Sequence, residues 1–301
     1  MAFDNLHMNN HYPTAETKKG LVAFLDILGY RNLEKSSKTA GIVFGIIEKA
    51  QHYRNINVAS VNPMRHCDNE VRLNLHVKES ELRAGDKLES LVYEKIALSI
   101  ISDSMVCTAD LRKLSMMEKK IVVTVFIRML SDIYSETLML GLPIRGGVSA
   151  GAFYANDNPQ SNKPATAFLG NAIFAAHRLE ESVSGSIIVL DNSAKRKTDA
   201  YYDKNIPGSN IENSYSDICT AKVAIKVSRK DSKFEVKRLR HCINLPKTDD
   251  AFFRLHNDIE SLVPFLFEQH GKKICEKSVK QKVKNTIDFL KNRDWDGKYD
   301  Y

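Results

Sequence analysis

The sequence predicts an α+β fold with a ferredoxin-like β-α-β-β-α-β core, and three observations support this prediction. Residues 21–25 form a continuous apolar run, which indicates a strand buried on both faces. Residues 96–107 carry two apolar runs separated by a short polar turn, which is typical of a hairpin. Between Glu118 and Leu138, apolar residues recur at helical spacing over several turns. A mainly antiparallel central sheet with helices on one face follows from this order.

The other elements of the core are weaker in the sequence but follow in the same order. Ile42, Ile46, Ile47 and Ala50 recur at helical spacing and predict a helix that lies on the sheet. Gly and Pro residues end the long helix and precede a glycine-rich strand. The remaining predicted elements are this strand at 144–151, a helix at 171–182 and a strand at 187–190.

These elements divide the chain into a leader, a core and an appendage. We expect a polar leader at 1–19, a core domain at 20–195 that contains a polar insertion at about 52–91, and a C-terminal αβ appendage at 196–301. The appendage is expected to hold a strand pair at 221–227 and 234–239, followed by helices at 249–269 and 276–291.

Composition limits the class of protein. No apolar run approaches the roughly 20 residues needed to cross a bilayer, and the first residues lack the order of a signal peptide, so we expect a cytoplasmic protein with no membrane partner. The five cysteines are scattered and predict neither a disulfide framework nor a zinc site. The net charge of +7 comes mainly from late basic stretches with few aromatic residues, which favours a solvated surface over a nucleic-acid groove.

Two aspartates are the candidate metal ligands. Asp26 ends the first apolar strand, where a buried carboxylate needs a positive neighbour. Asp103 lies in the turn of the predicted hairpin, 103 − 26 = 77 residues later. If the first strand lies beside the hairpin, the two carboxylates meet and can hold Mg²⁺ or Mn²⁺ with substrate phosphates. Each could instead be an ordinary turn-forming aspartate.

Four short motifs, at 24–30, 102–104, 145–151 and 170–180, resemble in family order the catalytic domain of class III nucleotide cyclases. The first two resemble the metal-binding motifs. The third is similar to the glycine-containing strand after the central helix, and the fourth resembles the last catalytic helix. The resemblance spans roughly residues 21–190.

The resemblance implies roles for particular residues. Asp26, Asp103 and the carbonyl of Ile27 would bind two divalent ions per site, and Arg178 would stabilise charge at the α-phosphate in the site of a partner subunit. Arg178 could instead be a surface arginine of an amphipathic helix. The residues expected to surround the triphosphate are Ile27, Leu28, Gly29, Tyr30 and Arg31, where glycine permits a tight turn.

Three positions depart from the purine cyclases of the family. Phe174 stands where those enzymes carry a ribose-orienting asparagine. Ser99 and Ala167 stand where they carry the pair of polar residues that reads the purine base. The absence of this base-reading pair, the sequence of residues 24–30, the Arg-Gly-Gly strand at 145–147 and the Ala-x-x-Leu-Glu helix at 176–180 resemble the bacterial pyrimidine cyclases of the Pycsar antiphage system.

That resemblance implies a homodimer with composite active sites. Its substrate would be UTP or CTP, with UTP the favoured candidate, and its cyclic nucleotide product would activate a separate effector. Two alternatives remain: an adenylate or guanylate cyclase with atypical base-reading residues, and a catalytically silent nucleotide-binding or RNA-binding ferredoxin-like domain.

Overall fold

The structure is a computed structural model, and it describes most of the predicted core and part of the C-terminal region. The described residues are 16–28, 41, 45–46, 48–52, 54–55, 79–101, 104–140, 142–155, 168–203, 218–229, 232–244, 260, 263–264 and 277–292. Among the candidate site residues, Gly29, Tyr30, Arg31, Asp103 and Ala167 lie outside these ranges.

The described strands form one eight-stranded mixed sheet in the order β2-β3-β1-β4-β6-β8-β7, and β5 pairs with β4. Their bounds are β1 (Lys18–Ile27), β2 (Ile96–Ile101), β3 (Ser104–Asp110), β4 (Ile144–Ala155), β5 (Phe168–Leu169), β6 (Ile188–Leu190), β7 (Ile218–Arg229) and β8 (Ser232–Ile243). The central strand β1 pairs antiparallel with both β3 and β4, which confirms the predicted neighbourhood of first strand and hairpin. The predicted α+β class is therefore confirmed.

Five helices have bounds within the described ranges, and helical residues also occur at 45–46, 48–52 and 54–55. Their bounds are α1 (Glu79–Lys95), α2 (Met116–Met139), α3 (Asn171–Ser182), α4 (Asn192–Tyr201) and α5 (Lys277–Asn292). The α2 helix begins with a capping box between Ser115 and Glu118, in which the serine hydroxyl and the glutamate carboxylate each accept a backbone N–H. None of the helices in the described part of the chain is long and apolar enough to span a bilayer.

The helices lie on both faces of the sheet, whereas the sequence placed them on one. Leu21, Ala23 and Leu25 of β1 belong to the main hydrophobic core with α2. The alternate residue Val22 belongs to a second cluster with Ala172, Ile173 and Ala176 of α3. Because successive side chains of a strand point to opposite faces, an apolar run such as β1 needs cover on both.

The structure also extends the sequence prediction at three places. Helix α1 occupies the last part of the predicted polar insertion, and helix α4 follows β6 directly; the sequence indicated neither. The predicted C-terminal strand pair is confirmed as β7 and β8, but β8 pairs with β6 and so continues the central sheet. The appendage therefore shares its sheet with the core.

Candidate active site

Asp26 lies at the end of β1, in a row of residues that crosses three strands. In the antiparallel register its partner on β3 is Ser104, and its partner on β4 is Arg145. Its side chain is 22% exposed, so the carboxylate lies at the rim of the sheet and can be reached from solvent. Asp103 is outside the described residues, but it directly precedes Ser104 in the sequence. The register thus places Asp26 opposite Ser104, the residue that follows Asp103 in the sequence.

Arg145 connects Asp26 to a buried carboxylate on α3. Its Nη2 donates to Asp26 Oδ2 over 3.4 Å, and its Nε forms an ion pair with Glu180 Oε1. The first distance is long for a charge-assisted hydrogen bond, which is usually about 2.7–2.9 Å. Arg145 is therefore held mainly by Glu180 and neutralises Asp26 from a distance.

Glu180 is almost completely buried, with 3% of its side chain exposed. Burial raises the pKa of its carboxyl from 4.5 to about 7; the Arg145 charge opposes this rise, while Asp26 and Glu181 add to it. At neutral pH Glu180 depends on the guanidinium of Arg145 to carry its charge. The three groups form one coupled network, which we call the Asp26–Arg145–Glu180 triad.

Helix α3 lies directly on β4 because β4 has a glycine at the contact. A Cβ atom added at Gly147 would lie 2.2 Å from the carbonyl oxygen of Ala176 and 2.8 Å from the backbone nitrogen of Glu180. Both are backbone atoms, which cannot move aside as a flexible side chain can. The close approach of helix and strand thus places Glu180 beside Arg145.

We expect Gly147→Ala to lower the free energy of unfolding by about 3 kcal/mol, since the added methyl group forces α3 away from the sheet. Urea denaturation measures this change. Gly151→Ala is the matched control, because it lies on the same face of β4 and its Cβ would meet the Ala172 Cβ at an ordinary 3.5 Å. An equal loss in both variants would contradict the close contact at Gly147.

Arg178 and Phe174 lie on the outer side of α3. The helix buries Ala172, Ile173, Ala176 and Glu180, whereas Arg178 is exposed. Phe174 is 60% exposed, and the nearby Leu169 on β5 is 62% exposed. This side of the helix can therefore meet another molecule, and the structure does not bring Arg178 into the Asp26–Arg145–Glu180 triad.

Ser99 lies in the middle of β2, which is the strand at one edge of the described sheet. It pairs with Val106 on β3, and Val106 in turn pairs with Phe24 on β1. Its side chain is buried, and its Oγ has no hydrogen-bond partner among the described residues. A buried hydroxyl without a partner is uncommon, because it has lost its contact with water.

The two remaining candidate residues that the structure describes are Ile27 and Leu28. The side chains of Ile27 and Leu28 are buried in the core, and the N–H of Leu28 donates to the carbonyl of Pro143 at 2.9 Å. Only their backbone atoms can therefore take part in binding. His177 packs its ring edge-on against Phe24, with ring centroids 4.7 Å apart.

Within the described ranges, no group of three or more His, Cys, Asp or Glu residues is close enough to hold a metal ion. Of the two predicted aspartate ligands, the structure describes the side chain of Asp26, whose carboxylate lies at the rim of the sheet. Its oxygen atoms are of the hard type that Mg²⁺ and Mn²⁺ prefer, so its chemistry fits such an ion.

Comparison with known proteins returns nucleotide cyclases among the solved structures. The adenylyl cyclase CyaB from P. aeruginosa has a TM-score of 0.42 at 12% identity, covering 77% of this chain and 97% of that chain. The guanylyl cyclase Cya2 has a TM-score of 0.34 at 12% identity, covering 78% and 97%. A guanylyl cyclase domain of the RhoGC fusion protein from the aquatic fungus Blastocladiella emersonii has a TM-score of 0.38 at 11% identity, covering 76% and 98%.

No family model matches the chain, and no curated protein matches it.

The sequence assigned no role to two members of the triad. Arg145 begins the motif at 145–151 and Glu180 ends the motif at 170–180. The available signal was the charge pattern: Arg145 begins an apolar glycine-rich strand, and Glu180 lies on the buried stripe that Ala172, Ile173 and Ala176 define. A charged side chain in such a position needs a partner of opposite sign.

Proposed function

We propose that the chain is a nucleotide cyclase in which Asp26 and Asp103 bind divalent cations beside a nucleoside triphosphate. The observation that carries this proposal is the register: Asp26 pairs with Ser104, the residue that follows Asp103. Two aspartates on neighbouring strands supply oxygen ligands of the kind that Mg²⁺ and Mn²⁺ share with phosphates.

In the proposed reaction the ribose 3′-oxygen attacks the α-phosphorus of the same nucleotide. The new P–O bond closes the 3′,5′-cyclic phosphate while the bond between the α-phosphorus and the oxygen that bridges to the β-phosphate breaks. Pyrophosphate leaves with that oxygen, and the proton of the 3′-hydroxyl passes to solvent water. Two ions held by Asp26, Asp103 and the carbonyl of Ile27 would lower the pKa of the 3′-hydroxyl and neutralise charge on the leaving group. Arg145 supports the site because its guanidinium lies 3.4 Å from Asp26 Oδ2 and offsets part of the negative charge there.

The proposed active unit is a homodimer in which each site receives Arg178 from the other subunit. The outward position of Arg178 on α3 supports this arrangement, as do the exposed apolar side chains of Phe174 and Leu169 beside it. In the partner's site the Arg178 guanidinium would donate hydrogen bonds to the α-phosphate as negative charge develops there.

We further propose a pyrimidine substrate, with UTP favoured over CTP. The Oγ of Ser99 is buried and without a described partner, so a bound base could satisfy it. A serine at this position lacks the reach of the lysine or glutamate that reads a purine. We propose that substrate binding also involves Gly29, Tyr30, Arg31 and Ala167. Phe174 stands in the place of the ribose-orienting asparagine.

The proposed biological role follows from the same resemblance. A cyclic pyrimidine nucleotide made in the cytoplasm would activate a separate effector protein in bacterial antiphage defence. The RNA-binding alternative finds less support, because the aromatic residue of the central strand, Phe24, is covered by His177 of α3. Recognition of RNA on such a sheet requires exposed aromatic side chains.

A product assay tests the proposal. The protein is incubated with each of the four ribonucleoside triphosphates and Mn²⁺, and the products are separated by chromatography and identified by mass. We expect 3′,5′-cyclic UMP and pyrophosphate from UTP. Conversion of ATP or GTP alone would overturn the pyrimidine proposal, and failure to cyclise any of the four by a folded, dimeric protein would contradict the cyclase proposal.

A further inference from the structure

A strongly basic cavity lies on the protein far from Asp26. It is a cavity of about 550 Å³, lined among others by Lys19, Arg112, Lys119, Arg196, Lys197 and Tyr201. We call it the basic cavity. These residues come from β1, the segment after β3, α2 and α4, so the fold gathers charges that are scattered in the sequence. The residues that line it include no carboxylate.

Most of these cations have no salt-bridge partner within the part of the chain that the structure describes. Arg112 is neutralised, because its Nη2 binds Asp110 Oδ2 at 2.8 Å and its Nη1 binds Glu16 Oε1 at 2.8 Å. Among the described residues, no carboxylate forms a salt bridge with the other four, which are Lys19, Lys119, Arg196 and Lys197. Four like charges around one cavity repel each other, and an anion inside would relieve that repulsion.

Tyr201 orders two of the cations on one wall. Lys119 Nζ lies 5.9 Å from the centre of its ring, and Lys197 Nζ lies 5.4 Å from it. Both distances are within the usual range of cation–π contacts, and such contacts do not neutralise the ammonium groups. The two lysines reach this wall from different helices, α2 and α4, and their N–H donors remain available to a ligand.

Neighbouring lysines on α2 and α4 that do not line the cavity form ion pairs. Lys120 follows Lys119 on α2 but pairs with Asp203 at 3.2 Å. Lys195 lies two residues before Lys197 on α4 but pairs with Asp199 at 2.5 Å. On these two helices, the lysines that line the cavity are therefore the ones without an acidic partner among the described residues.

The basic cavity is separate from the candidate active site. Lys19 and Asp26 lie on the same strand, 26 − 19 = 7 residues apart, which corresponds to about 23 Å along β1. An odd separation also places their side chains on opposite faces of the sheet. Helix α3 covers the face of Asp26, and α2 and α4 border the cavity on the other.

We propose that the basic cavity binds a compact polyphosphate, that is, a small molecule carrying at least two linked phosphate groups. Lysine and arginine donors around a concave wall are the groups that recognise phosphate oxygens. The volume lies within the range of small-molecule pockets, roughly 300–1,000 Å³, and far exceeds a single phosphate. The binding needs no divalent ion, because the protein supplies the positive charge.

Calorimetric titration of the full chain with sodium tripolyphosphate tests this proposal. The buffer contains EDTA and low salt, so that a site dependent on divalent ions cannot contribute. We expect one ligand per chain for the unmodified protein. In Lys119→Gln combined with Lys197→Gln, affinity should fall by about tenfold or more. The single change Arg196→Gln, on the exposed side of α4, gives a milder loss and serves if the double variant does not fold.

The matched control is Lys120→Gln combined with Lys195→Gln, which removes the same charge from the same two helices. Its affinity should stay within about twofold of the unmodified protein, since surface ion pairs contribute little. Equal weakening in both double variants would overturn the proposal in favour of general surface charge. Absence of binding at millimolar tripolyphosphate, or tighter binding of a short single-stranded RNA than of tripolyphosphate, would also overturn it.

Discussion

Asp26→Asn is expected to lower the rate of cyclic-nucleotide formation on the order of a thousandfold while leaving the protein folded. The amide has nearly the shape of the carboxylate but no charge, so it loses most of its affinity for Mg²⁺ or Mn²⁺. Arg145 keeps its ion pair with Glu180 in this variant, which limits the effect on stability. The measurement is the initial rate of product formation over a range of Mn²⁺ concentrations.

Asp203→Asn is the matched control for this prediction. Asp203 has a similar exposure of 24% and a similar ion pair, to Lys120 at 3.2 Å, but it lies at the end of α4. We expect its activity to remain within about twofold of the unmodified protein. Retention of activity in Asp26→Asn, or equal loss in both variants, would show that Asp26 is not a metal ligand.

The sequence predicted the position of Asp26 because the signal is local. An apolar strand that ends in a carboxylate is visible in a few residues, and the predicted bounds of the helix at 171–182 were confirmed for a similar reason. Gly170 precedes this helix with a φ of +125°, and Ala172, Ile173 and Ala176 form a short buried stripe. Such features depend on neighbours in the chain.

The Arg145–Glu180 pair was not predicted because it depends on a tertiary contact. The apolar stripe of α3 indicates which side of the helix faces the sheet, but it does not show that Gly147 lets the helix approach closely enough to bring Glu180 to Arg145. Helix α4 was missed for a different reason. It buries only Ala194 and Thr198, so it has almost no apolar periodicity, although Asp191 caps its first turn.

The basic cavity was also beyond sequence reasoning. Its cations come from four separate parts of the chain, and the late basic stretches were interpreted as solvated surface. What distinguishes Lys119 from Lys120 is the presence of Asp203 beside only one of them. That difference appears only after the helices pack together.

Arg145→Met is expected to lower the free energy of unfolding by about 3 kcal/mol at pH 8, because it leaves the Glu180 carboxylate buried without a counter-charge. Methionine keeps an unbranched side chain that fills the space of the aliphatic part of arginine, so the loss comes from charge more than from packing. Urea denaturation at several pH values measures the effect. The combined variant Arg145→Met with Glu180→Met should regain more than half of the lost stability, since it also removes the buried carboxylate.

The pH dependence separates this charge effect from a packing defect. Burial raises the pKa of Glu180 to about 7, with 4.5 as the ordinary value expected in the unfolded chain. The folded state therefore holds the proton more tightly, so the stability from this group is complete below pH 4.5 and is lost as pH rises to about 7. Without Arg145 the folded pKa rises further, and the cost of the substitution should be small in acid and largest above pH 7. A cost that is the same at pH 5 and pH 8, or a double variant no more stable than Arg145→Met alone, would place the defect in packing and not in the buried charge.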